Sequence, residues 1–398
     1  MSEGLSGWRE CKLCDISVKI GSGATPTGGS NAYKPSGISL IRSQNILDFK
    51  FSNSGLAFID EVQAYELKNV SVEENDVLLN ITGDSVARCC IVPKAVLPAR
   101  VNQHVAIIRL NDRAASYSFI YYLLQAKKED LLMQSEIGAT RKALTKGMIE
   151  ELEILIPALS EQKAIAAILS SLDDKIDLLQ HQNKTLESMA ETLFRQWFIE
   201  EAQEDWTEYS VSDFADHVKE NVVPAKSKSE YYHHYSLPAF DEGKRPTLEL
   251  GSEILSNKYK VVEHSILVSK LNPKVPRIWP VSSLPSKNSI CSTEFQVLKP
   301  KSIKLYGYLL FLLRSNDAVD ALSMAASGTS GSHQRVRPED IFNIKTSLPS
   351  LARAEQYSNM VMPGIAKTCS NLLQINILEI LRDTLLPKLM SGEVTVIN

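Results

Sequence analysis

The chain has 398 residues, 44% hydrophobic and 23% charged, with a net charge of -4. That length exceeds one ordinary core and predicts two domains, and the acidic balance excludes a chain that coats nucleic acid without choosing sites. No run of 18 uncharged apolar residues occurs, and the start, MSEGLSGWRE, lacks the basic flank and apolar stretch of a secretory signal, so a cytoplasmic protein without membrane contact is expected.

Residues 1–157 predict a first domain. Period-2 apolar runs alternate there with turn clusters such as Gly21-Ser22-Gly23 and Thr25-Pro26-Thr27-Gly28-Gly29, the pattern of a loop-rich α+β fold. Residues 158–203 predict a long helix. Its apolar positions run Ile165, Leu169, Leu172, Ile176, Leu179, Asn183, Leu186, Ala190, Leu193, Trp197, in alternating steps of four and three, which is a heptad seam. Ser160 stands where an N-cap hydroxyl is expected, and about 38 residues at ~1.5 Å each predict a rod of ~57 Å. A second domain follows over 204–350. Residues 351–398 then hold a second helix, from about Arg353 to Leu389, and a tail; Pro363-Gly364 in its first third predicts a kink or a delayed start.

These elements repeat at an offset of roughly 190 to 198. Trp8 answers to Trp206, Val77-Leu78-Leu79 to Ile266-Leu267-Val268, and the run Asn102–Ile108 to Ser292–Leu298. Tyr117–Leu124 answers to Tyr306–Leu313, Gly138-Ala139-Thr140 to Gly328-Thr329-Ser330, Pro157 to Pro349, and Glu161-Gln162 to Glu355-Gln356. A collinear series with drifting offsets is what duplication and small insertions leave. The expected architecture is therefore α+β: two tandem domains separated by two long antiparallel helices that form a coiled-coil-like spacer, with a pseudo-two-fold internal repeat. Asn183 and Asn376 fall at equivalent positions of the seam, where a polar residue fixes register or faces water.

Charge is distributed unevenly. Residues 158–205 carry 4 Lys+Arg against 10 Asp+Glu, whereas 206–349 carry 18 against 15, so positive charge is left to the domains. Groups able to read base edges or hold phosphates stand beside turn formers in matching places of both copies. In the first copy they are Arg42, Ser43, Gln44 and Asn45; Thr82, Ser85 and Arg88; and Thr140, Arg141 and Lys142. In the second they are Lys270, Asn272, Lys274 and Arg277, then Ser330, Ser332, His333, Gln334 and Arg335. The alternative for each loop is an ordinary solvated turn.

Enzymatic motifs are lacking. Leu271-Asn272-Pro273-Lys274 misses the second proline and the aromatic residue of an amino-methyltransferase motif, and Gly21-Ser22-Gly23 has no Gly-Lys-Ser/Thr after it. Cys11 and Cys14 could seed a zinc site only with Cys89-Cys90, an awkward pair for a tetrahedron, and the second copy has Tyr209 and Ser212 at the places of the first two. No metal is expected, and the six cysteines are expected to be free thiols.

Taken together, the helix starts Pro157-Ala158-Leu159-Ser160-Glu161-Gln162 and Pro349-Ser350-Leu351 with Glu355-Gln356, and the close Leu385-Leu386-Pro387-Lys388-Leu389-Met390-Ser391-Gly392-Glu393-Val394, resemble the specificity subunit of type I restriction-modification systems. The opening Lys19-Ile20-Gly21-Ser22-Gly23-Ala24-Thr25-Pro26 and Ile41–Asn45 fit the same family; the second copy lacks the Gly-x-Thr-Pro opening. The resemblance implies two target recognition domains, each reading half of an asymmetric bipartite site on double-stranded DNA. It also implies helices that set the gap and dock methyltransferase subunits, and a restriction subunit in the complex. Catalysis then lies in the partners, which carry S-adenosylmethionine, ATP and Mg; no cofactor is expected in this chain. The alternative is a noncatalytic scaffold whose duplicated domains bind proteins.

Overall fold

The computed structural model describes residues 7–136, 142–227, 229–326 and 334–396. Two compact units emerge, Met1–Ile176 with Ile377–Asn398, and Asp177–Asn376, so both long helices are shared between them. Where the sequence separates the helices from the domains, each helix is divided between the two units, at Ile176 and at Asn376.

In the first unit the strand Val77–Asn80 lies between Val105–Leu110 and Cys89–Ile91 in an antiparallel sheet completed by Ser17–Ser22. Both faces of this sheet are covered, which is why the runs Val77–Leu79, Cys89–Ile91 and Val105–Ile108 are apolar throughout rather than alternating with polar residues. The two-residue period still sorts the side chains: Val77, Leu79, Ala106 and Ile108 enter one core, while Leu78, Val105 and Ile107 enter another. The first core is capped by the helix Tyr117–Ala126 and by Ile165, Leu169, Leu386 and Leu389 of the long helices. The second is shared with a sheet in which Ile38–Ile41 runs parallel to Ala99–Val101. Adjacent cysteines therefore part company, Cys89 into one core and Cys90 into the other, and cannot share a tetrahedral site. All six cysteines are free.

The second unit repeats this layout and adds one strand, Asn221–Val222, at the edge of its other sheet. Ser265–Ser269 lies between Phe295–Pro300 and Ile278–Val281, with Ala215–Val218 at the edge, and Tyr231–Tyr235 runs parallel to Ser289–Ser292 in the other sheet. Ile266, Val268 and Leu298 face the helices; Leu267, Val297 and Trp279 face the opposite core. The duplication inferred from scattered matches is thus a duplication of topology.

The first long helix, Leu159–Arg195, closes in a π-helical turn over Gln196–Glu200. Ser160 is not its N-cap, since the helix begins at Leu159. The buried Gln162 ties down this end instead: its Nε2 donates to the Pro157 carbonyl at 2.9 Å and its Oε1 accepts from the Ser116 N–H at 2.9 Å. Along the seam, Ile165, Leu169, Ile176, Leu179 and Ala190 are buried and Leu172, Leu186, Leu193 and Trp197 half-buried. Phe194 and Phe198, outside the heptad pattern, are buried as well, because the stripe widens where it meets the second unit's core.

The second long helix, Leu351–Met390, is neither delayed nor interrupted by Pro363-Gly364. Ala354, Tyr357, Val361 and Ile365 on its inner face are buried in the second unit, and that burial, about 1.5–3 kcal/mol for each large apolar side chain, offsets the ~3 kcal/mol proline penalty. Within this unit the helices run antiparallel: Asn183 meets Asn371, the Ala190 carbonyl accepts from the Tyr357 hydroxyl at 2.8 Å, and Arg353 stacks 3.6 Å above the Trp197 ring. Asn183 sits in the seam as expected, its Oδ1 accepting from Asn371 Nδ2 at 2.7 Å. Asn376 does not take an equivalent place; its Oδ1 accepts from Arg245 of the domain at 3.0 Å, and the fully buried Asn371 is the polar residue of the second helix's seam. In the first unit the helices meet through Arg382 and Asp173, 2.9 Å apart. Among the described residues no helix is long and apolar enough to cross a membrane.

Candidate nucleic-acid interface

The loop after the central strand is the focus of each unit. In the first, Ile81–Arg88 is pinned by the chain that follows the glycine loop: Thr82 forms a bridge with Ala143, Gly83 N–H donates to the Lys142 carbonyl at 3.1 Å, and Leu144 N–H to the Ile81 carbonyl at 2.9 Å. In the second, Leu271 bridges to Arg335, Asn272 N–H donates to the Gln334 carbonyl at 2.9 Å, and Val336 N–H to the Lys270 carbonyl at 3.0 Å. Two stretches separated by about 60 residues in sequence therefore form one surface, at the same place in both units. Thr140, Arg141, Ser330, Ser332 and His333 lie outside the described residues.

A third stretch joins this surface in the first unit. The short turn Ser43–Asn45 follows the strand Ile38–Ile41, and the Ser43 carbonyl accepts from Asn80 Nδ2 at 2.9 Å. Gln44 is exposed; Arg42 Nη2 donates to the Gly55 carbonyl at 2.6 Å. Asn45 departs from the sequence expectation. It is fully buried, accepting from Arg42 N–H and donating to the carbonyls of Ser52 and Ser54, so it builds the loop and offers nothing to a ligand. The corresponding element of the second unit is the helical turn Leu237–Asp241, which no sequence signal singled out.

The candidate cations are in different states. Arg277 holds Asp241 through Nε and Nη2, each at 2.8 Å, and this hydrogen bonding raises its pKa. Arg335 forks onto Glu294 at 3.1 and 3.3 Å while remaining more than half exposed. Lys142 pairs with Glu136 at 2.7 Å in the open, a contact that raises its pKa but that solvent screens. Arg88, Lys270 and Lys274 have no ion pair among the described residues. Asn272 adopts φ +50, a left-handed conformation that Asn tolerates better than most side chains, and this turns the loop. Ser85 ends the turn Gly83–Ser85, its carbonyl accepting from Arg88 N–H at 3.2 Å.

Beside the first unit's loop lies a polar network that sequence reasoning missed. Gln103 Nε2 is 3.0 Å from His104 Nε2, His104 Nδ1 is 2.6 Å from Thr82 Oγ1, and Thr25 Oγ1 donates to Gln103 Oε1. The signal was present in the Gly-x-Thr-Pro opening. A Cβ on Gly23 would meet the Val101 carbonyl oxygen at 2.1 Å, so only glycine lets the chain pass close enough to seat Thr25 on Gln103.

Residues 6–188 match the family model described as a type I restriction modification DNA specificity domain. The chain is 26% identical to the type I restriction enzyme MjaIX specificity subunit of Methanocaldococcus jannaschii over 98% of its own length and 94% of that protein's. It is also 26% identical to the HindI specificity subunit of Haemophilus influenzae, over 49% of this chain and 42% of that one. Its fold matches the crystal structure of a type I restriction-modification S subunit from M. genitalium with a TM-score of 0.64 at 15% identity, covering 98% and 97% of the two chains. The first copy thus matches the family model, and along its whole length the chain is similar to specificity subunits of type I restriction-modification systems.

Proposed function

We propose that each unit reads one half of an asymmetric, bipartite site on double-stranded DNA, and that the long helices set the gap and dock methyltransferase subunits, with a restriction subunit completing the complex. The observation that carries this is the repeated surface: the same hairpin loop bridged to the same later segment at Thr82 and Ala143 and at Leu271 and Arg335, with different side chains in each copy. Identical frames with different polar groups are what two unlike half-sites require. Arg42, Ser43, Gln44, Thr82, Ser85, Arg88 and Lys142 serve the first half-site; Lys270, Asn272, Lys274, Arg277, Gln334 and Arg335 serve the second. S-adenosylmethionine, ATP and Mg belong to the partners on this reading.

Co-expression with the cognate methyltransferase and genome-wide mapping of methylated bases tests it. A motif of two short blocks with a fixed gap, dependent on this chain, is expected; no such motif would leave the protein-binding scaffold as the better account. Changing Lys270 and Lys274 together to Ala should weaken binding of the assembled complex uniformly across sequences. It should also lower the slope of log affinity against log salt by about 1 to 2, since each lost phosphate contact removes about 0.9.

A further inference from the structure

We infer that Gln103 is a base-reading residue of the first unit and that it recognises adenine; this rests on the half-site reading above. An amide nitrogen can only donate, so in the 3.0 Å contact between Gln103 Nε2 and His104 Nε2 the ring nitrogen accepts. The ring proton then sits on Nδ1 and is donated to Thr82 Oγ1 at 2.6 Å. On its other side the Gln103 carbonyl accepts from Thr25. In this arrangement the amide oxygen faces Thr25 and the amide nitrogen faces His104, so both ends of the group are held. An amide group has two N–H donors and two acceptor positions, and one of each is used, leaving one donor and one acceptor.

A donor beside an acceptor, held in one orientation, is the complement of the adenine N7 and N6 edge in the major groove. Gln103 is exposed, and it stands beside the loop around Thr82, since the Ile81 N–H donates to the His104 carbonyl at 3.0 Å. The side chain is thus oriented before any ligand arrives, which limits the entropy lost on contact. At the matching place the second unit has Thr293-Glu294, with Glu294 gripped by Arg335, so the amide arrangement belongs to the first unit alone.

The test uses the complete methyltransferase complex carrying wild-type chain, Gln103→Ala or Gln103→Glu, with methylation mapped genome-wide. Gln103→Ala should lower discrimination at a single A·T position of one block by about tenfold or more. Gln103→Glu, which replaces the donor by an acceptor at equal size, should disfavour adenine at that same position. The other block serves as an internal control for folding and should be unchanged. An unaltered motif, a change at a G·C position, or a loss spread evenly over both blocks would overturn the assignment. Absence of any motif dependent on the wild-type chain would overturn the half-site reading instead.

Discussion

The two units place different chemistry on one frame. The first carries a chain of amide, imidazole and hydroxyl groups, Gln103 to His104 to Thr82, beside Arg88, which has no ion pair among the described residues, whereas the second locks Arg277 onto Asp241 and Arg335 onto Glu294. A guanidinium held by a carboxylate keeps its remaining N–H groups aimed in one direction, just as the hydrogen-bonded amide does. Each unit orients a polar edge in advance, and each does so with groups the other lacks. Duplication has preserved the backbone bridges and released the side chains.

The same division runs through the cores. At the start of the first long helix the buried Gln162 accepts from the Ser116 N–H, while in the second unit Gln356 is exposed and Ser358 accepts from the Tyr308 N–H at 2.8 Å. The contact in the second unit depends on Gly307, where the first has Ser118: a Cβ at 307 would lie 2.7 Å from Val361 Cγ2 and 3.0 Å from Ser358 Cα.

These differences predict unequal responses. Tyr357→Ala should have the largest effect, about 3–5 kcal/mol, because it empties a site packed against Phe194 and Phe198 and frees the Ala190 carbonyl. Hydrogen exchange should show the loss across residues 177–376 and spare the first domain; equal loss in both would show that the units unfold as one. Gly307→Ala should cost about 1–3 kcal/mol by overpacking, in denaturant titration, whereas Ser118→Ala in the first unit should be close to neutral. Gly364→Ala runs the other way. Its new methyl meets Leu186 at 3.7 Å, an ordinary contact, and the helix gains about 1 kcal/mol, so a lower stability would contradict the packing seen here.

Acid should produce the smallest and most local change. Burial lowers the pKa of His234, against the opposing pull of Glu249, and burial lowers that of His217. As pH falls below the ordinary histidine value of 6.5, the unfolded chain takes up protons that the native second unit refuses. Stability present above that pH is therefore lost toward the depressed native values. His234→Gln, which keeps a polar side chain but cannot take up the proton, should flatten the decline in this unit's exchange protection between about pH 7.5 and about pH 5.5. An unchanged slope would remove His234 as its source.

Sequence alone determined the properties that depend on order and period: the duplication, the α+β character, the heptad seam from Ile165 to Trp197, and the family-like helix starts and close. These are legible because a repeat or a stripe is written along the chain and needs no knowledge of what lies across from it. Tertiary structure decided the rest. Which loops meet, as Thr82 meets Ala143, depends on strand pairing between segments about 60 residues apart. Whether a polar residue is free or committed depends on its neighbours in space, and nothing in the composition of a loop distinguishes Asn45, buried in its own turn, from the exposed Gln103. Asn371 rather than Asn376 meets Asn183 for the same reason, and Pro363 is tolerated because the inner face of its helix is buried. Propensity is a local preference of a few kcal/mol at most, and packing across the chain outweighs it.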